Sequence, residues 1–327
     1  MGNIGENVTV GVVTFNRIKY LVKLLKRLSE IEDISTIIIF DNNSKDGTLQ
    51  FLKQFGKFIS IKYNQINQTI LNNGKKLMFY PSTKNLGGAY GFSKLIKLFL
   101  KRPTSYLWLM DDDVLPEKDC LKNLLANIDQ NTGVCIPNRT DRYFQDVACV
   151  NLNLDNPLKC TMSKRKKYVR NFNNLSYLYV EDFPFEGPLF RRDIVEKAGT
   201  SDSQYFIICD DTDYAYKIRK YTKIKFIVNA KLHRQLTKVT RNNTTKFNWK
   251  YYYSLRNDIL FIKKYGKNWS TRVISPILLW VYWSAFSIRH KQWSNFSVIN
   301  RAFYDGEKGI RGETVIPGSI NQRVGAK

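Results

Sequence analysis

Histidine is almost missing from this chain of 327 residues: there are two, His233 and His290. A multi-histidine metal centre is therefore excluded, as is chemistry that needs two histidines, and any proton transfer falls to carboxylates. Cysteine is scarce. Cys120, Cys135, Cys149, Cys160 and Cys209 are odd in number and no pair has C-x-x-C spacing. That argues against zinc ribbons, redox pairs and a disulfide scaffold, and for a reducing compartment. No G-x-x-x-x-G-K-[ST] stretch occurs, which excludes a P-loop, and no G-x-G-x-x-G follows the first apolar run, which argues against a dinucleotide site. The first ten residues hold no basic segment leading into an apolar one, so no signal peptide is expected. The longest apolar stretch, 273–288, lies between Arg272 and Arg289 and contains Pro276. It falls short of the ~20 residues that span a bilayer, and reads equally as a buried helix or an interfacial one.

What is abundant is positive charge. Lys and Arg number 52 against 28 Asp and Glu, a net charge of +24. Such an excess calls for a polyanionic partner: nucleic acid, an anionic membrane or a phosphorylated substrate. The hydrophobic fraction of 43% is enough to bury a core, and the length fits one large domain or a domain with an extension. The basic run Lys159, Lys164, Arg165, Lys166, Lys167 and Arg170 reads as a solvated loop or as a contact for phosphate or lipid.

Along the chain, β-branched apolar runs alternate with amphipathic ones. Residues 8–14 read as a buried strand and Asn16 as the cap of a helix carrying Ile18, Leu21, Val22, Leu25 and Leu28. Further strands are expected at 36–40, 59–63, 106–110 and 133–137. Helices are expected at 48–55, around Phe92, Leu95, Ile96 and Phe99, and at 121–128. Strand–helix alternation implies a doubly wound, mostly parallel α/β sheet, in which ligands bind beyond the carboxyl ends of the strands. The polar clusters after Thr14, Phe40 and Met110 lie at those ends.

Two acidic runs carry the strongest chemical signal. Asp111-Asp112-Asp113 follows a buried strand directly, and adjacent carboxylates repel one another unless a cation offsets them. Mg²⁺ and Mn²⁺ take oxygen ligands and bridge carboxylates to phosphates; a surface turn balanced by lysines is the alternative. Asp210-Asp211-Thr212-Asp213 opens a helix, where acids also serve the helix N-terminus. The turn Asp41-Asn42-Asn43-Ser44 can hold a base or ribose, or be an ordinary turn. Asn85-Leu86-Gly87-Gly88 lets backbone approach a ligand.

Taken in order, Val13-Thr14-Phe15-Asn16-Arg17, Asp41-Asn42-Asn43-Ser44, Asn85-Leu86-Gly87-Gly88, Asp111-Asp112-Asp113, Glu186-Gly187-Pro188, Asp210-Asp211-Thr212-Asp213-Tyr214 and His233 resemble a family 2 glycosyltransferase of the GT-A fold. The resemblance covers roughly 8–265 and is strongest to the branch of bacterial galactofuranosyltransferases and rhamnosyltransferases. Tyr252-Tyr253-Ser254-Leu255-Arg256-Asn257 also resembles a segment of that branch. Phe185-Glu186 stands where galactan-building relatives carry a Trp pair.

The resemblance implies a GT-A catalytic domain over 1–265 and a helical, partly membrane-associating extension over 266–327. It implies that Asp41 and Asn43 hold the nucleotide of a UDP- or dTDP-sugar donor, with Thr14, Phe15, Asn16, Arg17, Asn85, Gly87 and Asp112 around it. Asp111, Asp113 and His233 would ligate Mn²⁺ or Mg²⁺. Asp211 would be the catalytic base with Asp210 supporting it, and Phe185, Glu186 and Gly187 would meet the acceptor, a lipid-linked glycan. The expected enzyme is inverting, cytoplasmic and peripheral on the inner face of the plasma membrane. A nucleotidyltransferase would want a glycine-rich loop after the first strand, where Thr14-Phe15-Asn16-Arg17 has none. A nucleic-acid binder would not set acids at its strand ends, so no nucleic-acid partner is expected.

Overall fold

The computed structural model describes residues 7–140, 145–235 and 245–319. In chain order, β1 (Val8–Thr14), α1 (Ile18–Glu30), β2 (Ile34–Asp41), α2 (Thr48–Phe55), β3 (Asn67–Ile70), β4 (Lys76–Pro81), α3 (Gly88–Leu100) and β5 (Tyr106–Asp111) make the first half. There follow β6 (Val114–Pro116), α4 (Cys120–Leu125), β7 (Thr132–Thr140), β8 (Ala148–Leu152), α5 (Met162–Arg165), β9 (Lys166–Val169), β10 (Tyr177–Val180) and β11 (Leu189–Arg191). The chain then forms α6 (Arg192–Ala198), α7 (Asp210–Ile218), β12 (Lys223–Arg234), α8 (Trp249–Tyr265), α9 (Trp269–Arg289) and α10 (Asn295–Glu307).

The main sheet runs β10-β12-β7-β11-β5-β1-β2-β4-β3, with β6 on β12. Its centre, β5-β1-β2-β4, is parallel, as is β7-β12. Antiparallel β11 joins the two parts. Both faces are covered, which is why these strands read as continuous apolar runs. In β1, Val8, Val10 and Val12 point to the layer formed by Leu21, Leu24, Leu25 and Leu28 of α1. Val13 points to the opposite layer, with Phe92, Leu95 and Phe99 of α3. Gly11 occurs where a side chain would collide: a Cβ there would lie 2.8 Å from Leu109.

The strand expected at 59–63 does not form. Its apolar residues alternate but have no partner strand, and Ile59 is 97% exposed; the place beside β4 is taken by β3. The expected helix at 121–128 ends at Leu125. The basic run is not simply solvated. Arg165 is buried and donates to the Ser275 hydroxyl at 2.8 Å, and Lys166 pairs with Asp182.

The helices α8, α9 and α10 pack around their own core of Tyr252, Tyr253, Leu255, Ile259, Leu279, Val298 and Ala302. These three form a helical unit, and α8 also packs on the preceding fold, with Leu260, Phe261 and Ile262 among Leu152, Leu154 and Tyr205. Helix α9 extends the 273–288 stretch at both ends to 21 residues, and among the described residues it is the one helix long and apolar enough to cross a membrane.

Candidate active site

The carboxyl ends of β1, β2 and β5 meet at one edge of the sheet, in register: Thr14 lies beside Asp41 and Val13 beside Asp111. A cavity of about 290 Å³ opens there. Phe15, Arg17, Asn42, Asn85, Gly87, Asp111 and Asp112 line it from the sheet side. Trp249 and Lys250 of α8, with Pro317, close it from the helical unit. The cavity combines aromatic surface with two cationic side chains, Arg17 and Lys250, which suits a planar base carrying phosphates.

Its rim is built by hydrogen bonds between loops. Asn42 donates to Asn85 Oδ1 at 2.7 Å and accepts from the Leu86 amide at 2.7 Å. Asn85 Oδ1 also accepts from the Gly87 amide. Gly87, at φ +81, meets the Phe206 backbone so closely that no side chain fits. Asn16 is not a helix cap: α1 starts after Arg17 with no side-chain cap. Instead Asn16 adopts φ 53, accepts from the Lys45 amide at 2.6 Å and donates its own amide to Ser44 Oγ, tying the loop after β1 to the turn after β2. Asp41 is buried and accepts from the Ser44 amide at 3.0 Å, and burial raises its pKa. It shapes the turn while Asn42 faces the cavity. Asn43 supplies a left-handed step, φ 67, and is not among the lining residues.

The three acids after β5 have separate fates. Asp112 is buried and accepts from the Thr14 hydroxyl at 2.7 Å, the Phe15 amide at 3.1 Å and Arg17 at 3.2 Å. Burial lifts its pKa to about 6 although Arg17 and Thr14 pull it down. Thr14 and Asp112 therefore brace the loop after β1. Asp113 accepts from the same Arg17 nitrogen, Nη1, at 2.6 Å. Burial opposes the charge of Arg17, but Asp113 and Asp112 outweigh it and its pKa rises.

The Asp111 carboxylate, beside the cavity, receives no hydrogen bond among the described residues. Desolvation, then the charges of Asp113, Glu186 and Asp112, push its pKa well up. A carboxylate facing a cavity, among acids and without a donor, is a hard oxygen ligand short of positive charge. That donor set fits a divalent ion such as Mg²⁺ or Mn²⁺.

His233 arrives by sheet pairing. It lies opposite Leu115, two residues past Asp113, and the Gln235 amide donates to the Asp113 carbonyl at 2.7 Å. Its ring, however, contacts Glu117 at 2.8 Å. No three His, Cys, Asp or Glu side chains converge in metal-binding geometry among the described residues. The expected trio of Asp111, Asp113 and His233 is thus adjacent along the backbone but not assembled: Arg17 holds one acid and Glu117 holds the histidine.

The second acidic run follows a loop in unusual conformation. Phe206, Ile208 and Cys209 have φ 67, 67 and 76. For a β-branched residue such as Ile208 this is a strained conformation that needs support. The loop is a partition. Phe206 and Ile207 line the first cavity; Ile208, Cys209, Asp211 and Thr212 line a second of about 390 Å³. Asp211 faces that second cavity near the Lys166–Asp182 pair. Burial, then Asp182, pushes its pKa to about 6, against the pull of Lys166 and the Thr212 amide. Asp210 is buried, and desolvation followed by the charge of Asp211 raises its pKa well above the usual carboxylate range. Asp213 does more than serve the helix N-terminus: fully covered, it accepts from the Tyr205 hydroxyl at 3.0 Å and pairs with Lys264 of α8 at 2.7 Å.

The three residues expected to meet an acceptor are placed differently. Glu186 pairs with Arg139 and Arg234 and lies near enough to Asp111 and Asp211 to raise the pKa of both. Phe185 is 3% exposed, stacked on Phe92 at 4.4 Å, and belongs to the core. Gly187 is a turn at φ +93 whose carbonyl accepts from the Trp108 indole at 2.8 Å. Sequence reasoning missed Asn42, Trp249, Lys250 and Pro317. Asn42 stood inside a recognised turn, but nothing local marked the other three, which reach the cavity only through the packing of α8 and the segment after α10.

No curated protein sequence is similar enough to count as a match. A mannosyltransferase from Pyrobaculum calidifontis, solved with GDP-Man and Mn²⁺, superposes with TM-score 0.53 at 14% identity, over 93% of this chain and 87% of that one. GalNAc-T7, solved with UDP, GalNAc and Mn²⁺, gives TM-score 0.60 at 12% identity, over 93% of this chain but 58% of its own. TarS from S. aureus gives 0.50 at 14%, over 92% and 80%. These likenesses establish the GT-A fold. Residues 9–199 match the family described as glycosyl transferase family 2, more than half of the chain, and the protein belongs to that family.

Proposed function

We propose that the protein is an inverting, divalent-metal-dependent glycosyltransferase that moves a sugar, galactofuranose or rhamnose, from a UDP- or dTDP-linked donor to a lipid-linked glycan at the cytoplasmic face of the membrane, in the synthesis of a bacterial cell-surface polysaccharide. The observation that carries this reading is the partition: Asp111 faces one cavity and Asp211 the other, with Phe206–Ile208 between them. Neighbours of the same fold bind nucleotide or nucleotide sugar with Mn²⁺, which supports the donor class. The sugar and the acceptor rest on the sequence resemblance alone.

In this reading the base and ribose lie against Asn42, Asn85 and Phe15, and Arg17 and Lys250 face the phosphates. Asp111 and Asp113 would hold Mn²⁺ or Mg²⁺, with His233 as a further ligand once its ring leaves Glu117. The bound ion would supply positive charge to offset that building on the departing diphosphate. Asp211, ionised above about pH 6, accepts the acceptor's hydroxyl proton while that oxygen bonds to the anomeric carbon and the carbon–oxygen bond to the diphosphate breaks. Attack from the far face inverts the anomeric centre and needs no second carboxylate as nucleophile.

For the membrane, the supporting observation is a stripe on α9. Trp269, Val273, Ile277, Trp280, Val281 and Ile288 recur at helical spacing and are all exposed, while Leu279 packs inward against α8. Arg272, Arg289 and Lys291 flank the stripe. An amphipathic helix with aromatic and basic residues lies in the interface rather than across it.

Purified protein incubated with Mn²⁺ and a panel of nucleotide sugars should release nucleotide diphosphate from one of them. No release with any donor and a lipid-linked acceptor would reject the reading. Anionic vesicles at low salt should sediment the protein, and Ile277→Glu should leave it in the supernatant. Sedimentation unaffected by that change would remove α9 from the membrane contact.

A further inference from the structure

The strained loop before Asp211 has no regular secondary structure to hold it, so its support must come from elsewhere. That support is on α8. Arg256 and Asn257 are both fully buried. The Asn257 amide nitrogen donates to three successive parts of the loop: the Tyr205 carbonyl at 3.2 Å, Ile207 at 2.8 Å and Ile208 at 2.8 Å. Arg256 Nε donates to Asn257 Oδ1 at 2.9 Å, which fixes the amide's orientation. Arg256 Nη2 adds a bond to the Tyr205 carbonyl at 3.0 Å. Its other nitrogen reaches the segment after α10, at the Gly312 carbonyl and the Thr314 hydroxyl. The rings of Tyr253 and Tyr252 flank the guanidinium at 4.8 and 5.7 Å. On its far side the loop is clamped by α3, where the Ala89 amide donates to the Phe206 carbonyl at 3.1 Å.

A cation in this position is a costly way to stabilise a helix contact. Arg256 forms no ion pair among the described residues: carbonyls, an amide oxygen, a hydroxyl and aromatic faces contact it, and the Asp305 carboxylate acts on it only from beyond the Tyr252 hydroxyl. Apolar residues of similar volume stabilise such contacts as well or better. What the pair supplies is direction: a planar fork that orients an amide, and an amide that gathers three carbonyls of a loop with left-handed steps.

We propose that Arg256 and Asn257 are positioning residues for the transfer reaction: from α8 they hold the 205–209 loop as the fixed wall between the two cavities, and thereby set where Asp211 stands relative to the sugar donor. The inference rests on the assignment of Asp211 as base, and goes beyond it by giving the helical unit a role in the chemistry. Neither residue touches a reacting atom. Their loss should act on turnover, because displacement of a catalytic group by about 1 Å can cost ~10²-fold. Donor affinity should change far less than turnover, since only Phe206 and Ile207 of this loop line the first cavity.

Asn257→Ala tests this, because among the described residues the Asn257 side-chain amide hydrogen-bonds only the loop and Arg256. Hydrogen exchange read over peptides covering 205–213 needs no substrate. In the variant these amides should exchange at least ~10-fold faster while those of β1 and β5 stay protected. Turnover with the active donor should fall ~10–100-fold, with the affinity for nucleotide diphosphate and Mn²⁺, by calorimetry, kept within about threefold. Arg256→Lys keeps the charge but not the fork and should show the same split in weaker form. If Asn257→Ala does not fold, Asn257→Ser, which keeps one hydroxyl donor, is measured at low temperature by the same readouts. Unchanged exchange over 205–213 overturns the proposal. So does a loosened loop with wild-type turnover, or a loss of donor affinity in step with turnover. If wild type turns over no donor while exchange rises as expected, the transferase reading fails and the anchoring of the loop stands.

Discussion

The two acidic runs look alike in the sequence and are built by opposite means. Asp111–Asp113 continues a central parallel strand, and its geometry follows from that strand's end: one acid braces the neighbouring loop, one pairs with Arg17, and one faces the cavity without a donor. Asp210–Asp213 begins a helix after a loop with three left-handed non-glycine residues, held by side chains roughly fifty residues further along the chain. In the first run, position follows from the sheet. In the second it depends on a packed helix, so the same residue type is rigid for local reasons in one place and for remote reasons in the other.

The largest expected effect breaks the comparison at its chemical end. Asp211→Asn keeps size and part of the hydrogen bonding but cannot take a proton, so transfer should fall ~10²–10⁴-fold with donor affinity nearly unchanged. Turnover and calorimetric binding, measured separately, decide it; equal losses in both would move the base to Asp210. The same residue sets a pH signature. Its carboxyl, raised to about 6 by burial, must be ionised to act, so the rate should halve near pH 6 and fall about tenfold per unit below that. An acid limb near the ordinary aspartate range would mean that another group limits the rate.

A different pattern is expected from the first run. Asp111→Asn removes the one acid that faces the cavity without a donor, and should lower Mn²⁺-dependent donor binding and transfer together, by about tenfold to a hundredfold. Excess EDTA should do the same to wild type. Full activity in chelator would detach Asp111, Asp113 and His233 from any metal role. A change in turnover alone would make the two acidic runs functionally alike and erase the comparison.

The smallest effect concerns the turn that joins the halves. Gly187 has φ +93, and a Cβ there would lie 2.7 Å from Pro137. Gly187→Ala should cost at least ~1–2 kcal/mol in urea unfolding, with the remaining folded protein retaining donor binding. Wild-type stability would mean that the turn relaxes, and that Glu186 is not held where it is by its neighbour.

The sequence by itself determined much of the layered sheet, because β1, β2 and β5 are short apolar runs buried on both faces and the flanking helices carry their apolar residues at helical spacing. It also marked both acidic runs, since charge adjacent to buried strands and helices stands out against apolar neighbours. Edge strands were less legible: 59–63 alternates like a strand but finds no partner, and only pairing distinguishes it from β3. What needed tertiary structure was every contact that closes over the site. Phe185 is expected at the acceptor until Phe92 is found stacked on it in the core. His233 reads as a lone histidine until β12 brings it beside the acids after β5. Trp249, Lys250 and the Arg256–Asn257 pair carry no local sign of where they point. Local periodicity reports which face of an element is buried; it cannot report what a distant helix does with its polar side chains once that face is packed.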